Sequence, residues 1–470
     1  MLTRFRRQAV SVTDKSDWVN KTEALYKYLR RDHEPTLEAL QNLYPDTWDQ
    51  RVLRVVPFLQ RLARTLGTLY QQAPTRDFVG AGVNDEVKAR IGKIYKSINA
   101  NDVLRTAQEQ LTILNNSTVW VFPTSFGGVR LLNIPPHDQE FKSRDPWSND
   151  VRDLEAAWIS LPVGSDPNTG FITHAVAKIT PETAVWEDGP KGLIGKGVWG
   201  ESTVNPLGRI PVVAFRGSEP ASGEFFAPVP YDLLHAQLAL DLTFTDIQHI
   251  ASLQGYGQPV IKGVGSAAAT ELKLGPESVI GLPDAENMEF TFEHGNPPLA
   301  EYQNAADQYL RSVLAFCGVN PDIFLKTSGA ISAVAKRMDM HERELERGRF
   351  VNMFERAEQD LWDLVRMWIN ELRGNGREVY PETDVRIRYH FPDPPVDPLH
   401  REQATRLALD SGLTSPGSEY ARRHGVTEAE GQKKVTHNLQ QWAKLQEIAS
   451  PDRRIEQGRT PDTELRIAVD

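Results

Sequence analysis

Residues 309–373 read Y-L-R-S-V-L-A-F-C-G-V-N-P-D-I-F-L-K-T-S-G-A-I-S-A-V-A-K-R-M-D-M-H-E-R-E-L-E-R-G-R-F-V-N-M-F-E-R-A-E-Q-D-L-W-D-L-V-R-M-W-I-N-E-L-R. A short Lys-Thr-Ser-Gly turn separates a first helical pattern from one very long one. The long pattern changes character along its length. From Lys336 to Arg349 it is almost all charge. From Val351 to Leu372 it carries Val351, Phe354, Leu361, Val365, Trp368 and Leu372 at helical spacing. At the rise of an α-helix, residues 330–373 would span roughly 65 Å. A compact monomer rarely needs such a rod; a ring of subunits around a hole does.

Outward from this stretch, two helical patterns bracket a small insert. The first runs from Tyr231 to about Leu253, with Leu233, Leu234, Leu238, Leu242, Ile247 and Ile250 among Asp232, Asp241 and Asp246. The second runs from Leu299 to Phe316. Between them lie predicted strands at 259–262, 278–282 and 288–292, too little chain for an independent domain. Such an insert reaches a core by pairing with neighbouring copies.

Upstream, residues 15–113 read as mostly helical. Leu53, Val56, Leu59, Leu62, Leu66 and Leu69 predict a helix over 51–70, kinked or restarted at Pro57. Further helices are expected near 84–98 and 101–114, with Asn115-Asn116 as a stop. From Ser117 to Gly217 the pattern turns to short β-rich runs, including T-V-W-V-F-P, L-E-A-A-W-I-S-L and H-A-V-A-K-I. E-D-G-P-K-G reads as a hairpin tip, and N-P-L-G-R-I-P-V-V-A-F-R (205–216) as a turn and strand. Downstream, 385–391 reads as a strand, P-D-P-P-V-D-P as a rigid linker, and 399–449 as two or three helices.

The composition bounds the chemistry. The formal net charge of −10 argues against a DNA-wrapping protein, which would be basic, but not against a smooth channel for a polyanion. One cysteine, Cys317, excludes a disulfide framework within one chain. The N-terminal M-L-T-R-F-R-R has no apolar segment, which predicts no secretory leader. No apolar run reaches about 18 residues, so no membrane span is expected.

No motif reads as an active site. Gly263-Val264-Gly265 follows a short strand, but the chain after it is too short for the crossover helix of a dinucleotide fold. Gly195-Lys196 lacks the Ser or Thr and the earlier glycine of a phosphate loop. No H-E-x-x-H and no G-x-S-x-G is present. The expectation is a protein that is not an enzyme, with no cofactor and no metal. The charged half-helix has two readings: a solvated face laced with i,i+4 pairs, or a ring interface or channel wall.

Four patterns together resemble the portal proteins of tailed bacteriophages. They are R-V-V-P-F-L-Q-R-L-A (54–63); N-P-L-G-R-I-P-V-V-A-F-R; the helix, insert with P-V-I-K and S-V-I-G-L, and returning helix; and V-L-A-F-C-G-V-N-P-D-I-F followed by S-G-A-I-S-A-V-A-K-R and the long helix. The resemblance covers about Asn20 to Ser450. One departure is the doubled unit Ser328-Gly329-Ala330 and Ser332-Ala333-Val334-Ala335, which leaves the start of the long helix open by a turn.

The resemblance implies a mainly helical α+β portal-type fold in a dodecameric ring. Residues 1–225 would form the N-terminal wing, 226–254 the first stem helix, 255–297 the clip and 298–317 the second stem helix. Residues 318–332 would be a tunnel loop, 333–396 the long kinked helix and wing strand, 397–450 the crown and 451–470 a flexible tail. Lys326, Thr327, Ser328 and Gly329 would face DNA; Lys336, Arg337, Asp241 and Asp246 would line the channel; Leu238, Leu242 and Ile250 would pack between subunits. The implied role is the channel at one capsid vertex for packaging and ejecting double-stranded DNA. Its partners would be the terminase large subunit, capsid or scaffolding protein, and head-completion proteins. It would reside in the virion, and in the host cytoplasm during assembly. Two alternatives are another ring-forming head–tail connector or scaffold, and a multidomain enzyme with an unrecognised site.

Overall fold

A computed structural model describes residues 12–124, 126–145, 147–165, 172–220, 224–254, 258–262, 280–282, 289–293, 298–321, 333–374, 379–390, 398–424 and 426–449. Side chains are described within these except at 12–16, 165, 253–293, 333–346, 374, 398–401 and 446–449. The chain divides into two compact units, Met1–Pro392 and Asp393–Asp470.

The first unit is α+β. It opens with helices α1 (Val12–Leu29), α2 (Glu34–Leu43) and α3 (Phe58–Leu66), then strand β1 (Thr75–Val79) and helices α4 (Asp85–Ser97) and α5 (Ala100–Leu114). Strands β2 (Asn116–Pro123), β3 (Val129–Ile134), β4 (Gln139–Ser143), β5 (Leu154–Ser165), β6 (Ile172–Ile179), β7 (Ala184–Asp188) and β8 (Val212–Arg216) follow. Helix α6 (Tyr231–Gln254), strands β9 (Gln258–Lys262), β10 (Ile280–Leu282) and β11 (Glu289–Glu293), and helix α7 (Leu299–Phe316) come next. The long helix α8 (Ala333–Gly374) and strand β12 (Asp384–Arg388) close the unit.

The expected helix over 51–70 is half an extended segment. Only Phe58–Leu66 is helical, and Pro57 occupies the cap position before it. Proline forces the preceding Val56 away from helical angles, and α6 side chains take the backbone donors of Arg54 and Val56. The periodic Leu53 and Val56 therefore lie outside the helix.

Strand β2 organises the sheet region. It is the centre of a three-stranded sheet ordered β3-β2-β8, antiparallel on both sides. Successive side chains of a strand point to opposite faces, and here both faces are buried. Val119 and Val121 join a core with Phe354, Leu361, Trp362, Val365 and Trp368 of α8. Trp120 and Phe122 join another with Ile159, Ala177 and Ile179 of the four-stranded sheet β4-β5-β6-β7. The T-V-W-V-F run thus feeds two cores at once, and Trp368 Nε1 donates to the Val121 carbonyl at 2.9 Å.

Strands β1 and β12 pair antiparallel beneath α8; β1 and β4 had no clear alternation in the sequence. Tyr70, Arg76 and Tyr389 meet Glu358 of α8 there. Arg76 forms a bidentate pair with Glu358, Nε to Oε2 at 2.5 Å and Nη2 to Oε1 at 3.0 Å. Tyr70 donates to Oε1 at 2.8 Å. Arg347, in the half of the helix read as offering little to a core, is buried and donates to the Thr68 and His390 carbonyls.

A third core joins α1, α3, α6 and the end of α7 through Leu25, Phe58, Leu62, Leu233, Leu240 and Leu314. The insert forms a three-stranded sheet ordered β10-β9-β11, with β10 parallel and β11 antiparallel to β9. The glycine-rich turn at 263–265 lies outside the described residues. The second unit holds helices α9 (Pro398–Asp410), α10 (Pro416–His424) and α11 (Glu428–Ala449).

Candidate functional site

The two helices that bracket the insert, α6 and α7, are the elements the sequence marks for function. Their mounting begins at Asn115, the last residue of the α5 turn, which adopts a left-handed φ of 58° and redirects the chain into β2. Its Nδ2 donates to the Pro228 carbonyl at 2.7 Å. The buried Asn116 exchanges two bonds with Ala227, its Nδ2 to the carbonyl and its Oδ1 from the amide, each 2.8 Å. The tandem asparagines therefore clamp the segment that leads into α6, three residues before Tyr231.

Helix α6 then carries a polar stripe at four-residue spacing: Gln237, Asp241 and Thr245. These side chains do for the extended segment 54–57, and for the first turn of α3 after it, what a neighbouring strand would do. Gln237 Oε1 accepts from the Leu59 amide at 3.2 Å, and its Nε2 donates to the Val56 carbonyl at 2.7 Å. Asp241 Oδ1 accepts from the Val56 amide at 2.8 Å and from Gln237 Nε2 at 2.9 Å. Its Oδ2 accepts from Thr36 Oγ1 at 2.8 Å. Thr245 Oγ1 accepts from the Arg54 amide at 3.0 Å. Buried backbone donors must be satisfied, and here a helix face satisfies them.

Asp241 is fully buried, so it lines no channel; the expectation is corrected by the donors converging on it. Burial pushes its carboxyl pKa up, against the Val56 amide, Gln237 and Thr36, which favour the ionised form. Both oxygens are occupied by donors, which leaves no base free for catalysis. Asp246, half-buried, accepts from Arg51 Nη1 at 2.5 Å and from the Tyr44 hydroxyl at 3.0 Å. Arg51 also lies 3.5 Å over the Tyr44 ring. The pair anchors α6 to the segment after α2.

Leu238, Leu242 and Ile250 are half-buried on α6, and Leu238 packs on the helical core. Lys326, Thr327, Ser328 and Gly329 lie outside the described residues. Lys336 and Arg337 belong to α8, and their side chains are not described. Cys317 caps the end of α7 half-buried, and burial raises its thiol pKa.

Helix α7 is the exposed member of the pair. Of its 18 residues only Ala306 and Leu314 are buried. Beside that seam runs an aromatic stripe at intervals of seven: Tyr302, Tyr309 and Phe316, which are 48%, 41% and 94% exposed. Ala305 and Ser312, also exposed, sit between them. Large side chains alternating with small ones at heptad spacing are what a knob-and-hole contact with another helix uses. The sequence reading placed the intersubunit contact on α6 and missed this stripe, although the seven-residue spacing was legible.

Among the described residues no group of three His, Cys, Asp or Glu side chains is placed to hold a metal. Nor is any helix among them long and apolar enough to cross a membrane.

No family model matches the chain, and no curated protein matches it. Among solved structures it is similar to a chain described as "Neck of empty GTA particle computed with C6 symmetry". Identity is 11%, over 79% of this chain and 89% of that one, with a TM-score of 0.38. At that TM-score the superposition is too loose to establish a shared fold.

Proposed function

We propose that this chain is a phage portal protein: a ring subunit whose α6–α7 pair forms the stem and whose β9–β11 sheet forms the clip. The observation that carries the reading is α7, a helix of 18 residues that buries two and leaves an aromatic heptad stripe in water. A helix so exposed obtains its packing from a neighbour, and in a ring every copy supplies one. The resemblance of the sequence to portal proteins supports the same assignment. It adds the expected ring of twelve, the passage of double-stranded DNA, and the docking of the terminase motor and head-completion proteins.

The role is physical rather than catalytic. The ring would nucleate the shell at one vertex, pass DNA during packaging and ejection, and hold it between. A channel should touch phosphates weakly, because each firm Lys or Arg contact adds affinity and slows movement. Lys326 in the 318–332 segment is the expected nearest cation to the passing backbone. Neither ATP nor metal is required of this chain.

Electron micrographs and mass photometry of the purified full-length chain test the reading. Closed rings with a central hole are expected; single-chain particles across a range of salt and concentration would overturn it.

A further inference from the structure

Three buried oxygens lie in a row where α1, α2 and α6 meet. They are the Tyr28 hydroxyl, the Thr36 hydroxyl and Asp241 Oδ2, linked at 2.7 Å and 2.8 Å. Their residues are 2%, 0% and 0% exposed. Thr36 stands in the first turn of α2, whose cap is His33. The His33 ring lies 6.4 Å from the Tyr28 ring between centroids, and its buried Nδ1 makes no hydrogen bond.

A hydroxyl has one hydrogen and points it one way at a time. With Asp241 ionised, Thr36 donates to Oδ2 and Tyr28 donates to Thr36. A proton on Oδ2 reverses the row: Oδ2 donates to Thr36, and Thr36 donates to Tyr28. No heavy atom has to move, because either hydroxyl can be the donor at the Tyr28–Thr36 contact. Burial, and after it the Asp241 charge, keep the Tyr28 hydroxyl protonated. In the reversed row its own hydrogen is left to turn toward His33. Oδ1 holds the Val56 amide and Gln237 in either arrangement, so the proton belongs on Oδ2.

The ionisable groups around the row are few. Helix α1 supplies Tyr28, and α2 supplies His33. Arg31, in the turn between them, is exposed and donates to Gln60 of α3. In the extended segment Arg54 is exposed, and Arg51 is taken by Asp246 together with Tyr44. On α6 itself His249 lies two turns on, half-buried near Arg51 and Asp246. Helix α7 meets this core through Leu310, Val313, Leu314 and Cys317. Of these groups His33 acts on the Asp241 carboxyl, in the same direction as its donors, and burial outweighs them all.

We infer that Asp241 is a proton-binding site that locks α6 to α1 and α2: one proton from solvent sits on Oδ2 in the closed junction, the Thr36–Tyr28 row reverses to receive it, and the proton is released when α6 moves away. A carboxyl that is more readily protonated in the folded chain than in the unfolded one stabilises the fold at acid pH. That contribution fades as pH rises through its folded pKa. Acid therefore tightens the junction. The lock belongs to the single chain, so it holds whether or not copies close into rings.

Isotope-edited infrared titration of the full-length chain, with the aspartate carboxyls carbon-13 labelled, tests this. Wild type should show a protonated-carboxyl band whose midpoint lies above that of the exposed aspartates, and Asp241→Asn should lose that band. Identical spectra for the two proteins at every pH where both are folded would overturn the site. Tyr28→Phe tests the reversal. With Asp241 ionised it costs Thr36 an incoming donor, but with Asp241 protonated it strands the Thr36 hydrogen, and a stranded buried donor is the costlier loss. The band's midpoint should therefore fall; an unchanged or raised midpoint would show that the row does not reverse. Thr36→Val should raise the midpoint, because a bond to the charged form is the stronger one lost, and Thr36→Ser should restore it. Equal midpoints for the Val and Ser variants would also overturn the inference, and this pair decides if Tyr28→Phe does not fold. In urea unfolding, wild type should gain on Asp241→Asn as pH falls through the midpoint. A difference that stays flat would contradict the lock.

Discussion

Ionised, Asp241 receives three donors on two oxygens and offers nothing back, so its value to the protein lies in the groups it satisfies. Leu at this position would strand the Val56 amide and one Gln237 amide hydrogen in a buried site and leave the Thr36 hydroxyl with Tyr28 alone. Each stranded group costs about 1–3 kcal/mol, so Asp241→Leu should lower stability by at least about 2 kcal/mol in urea unfolding. Asp241→Asn keeps an acceptor for Val56 and removes a buried charge, so its loss should be under half of that. Equal losses for Leu and Asn would mean the charge, rather than the acceptors, is what matters. A second residue-scale case is His137, whose ring lies tilted against Tyr26 at 5.2 Å between centroids. Burial lowers its pKa from 6.5 to about 4. The unfolded chain therefore binds a proton in that window that the folded chain refuses, and stability falls as pH drops through it. Its neighbour Asp138 has the opposite sign: burial, then Glu23, raise its pKa from 3.8 to about 6, so the folded form is favoured as pH falls through that range. His137→Gln should consequently gain stability relative to wild type between neutral pH and about pH 4.5. A wild-type-to-variant difference that stays flat with pH would exclude this account.

At the scale of elements, periodicity carried the reading as far as one face of one helix could take it. The apolar positions Phe354, Leu361, Val365 and Trp368 of α8 are buried as their spacing predicts. The β-rich runs from Ser117 onward became strands because each alternates into two cores or one. The segment 52–57 misled because its apolar spacing is helical while its backbone partners lie on α6, 181 to 191 residues away in sequence. Strand β1 was missed for a related reason: it pairs with β12 across the whole first unit, and nothing local announces that. The candidate site was legible in outline, as helix, insert and helix. Of the stripe Gln237–Asp241–Thr245 only Asp241 was singled out, as a channel-wall acid on the stem, since the use of the stripe depends on which chain lies against it. Arg76 and Glu358 show how such a distant pair supports an element. Their side chains are 9% and 0% exposed, and they tie β1 to the middle of α8. Removing one partner of a buried pair typically costs about 3–5 kcal/mol, so Glu358→Ala should fall in that range, with the Arg76→Met, Glu358→Met double variant losing less than either single one. A double variant that loses the sum of both would show that the two side chains do not act as a pair.

For the whole molecule, the decisive surface is the one the folded chain leaves unused. Tyr302, Tyr309 and Phe316 lie on α7 beside the seam that packs on α6, and they contribute no buried residue to the core of the first unit. Exchanging all three for Ser removes little that the single chain buries, and surface substitutions of this kind usually change stability by within about 0.5 kcal/mol each. In the proposed ring the same three side chains fill the contact between neighbouring stems, where burying an aromatic or large aliphatic side chain is worth about 1.5–3 kcal/mol. The two effects therefore separate. The triple variant should unfold at nearly the wild-type urea midpoint when dilute, while mass photometry shows monomers or open fragments where wild type shows closed rings. Leu242→Asp on α6 tests the other side of the stem: its half-buried position should make it cost both assembly and some monomer stability. If the triple variant still closes rings at wild-type concentrations, the aromatic stripe faces solvent or another partner. The stem contact would then have to be sought on α6, where Leu238, Leu242 and Ile250 remain half-exposed.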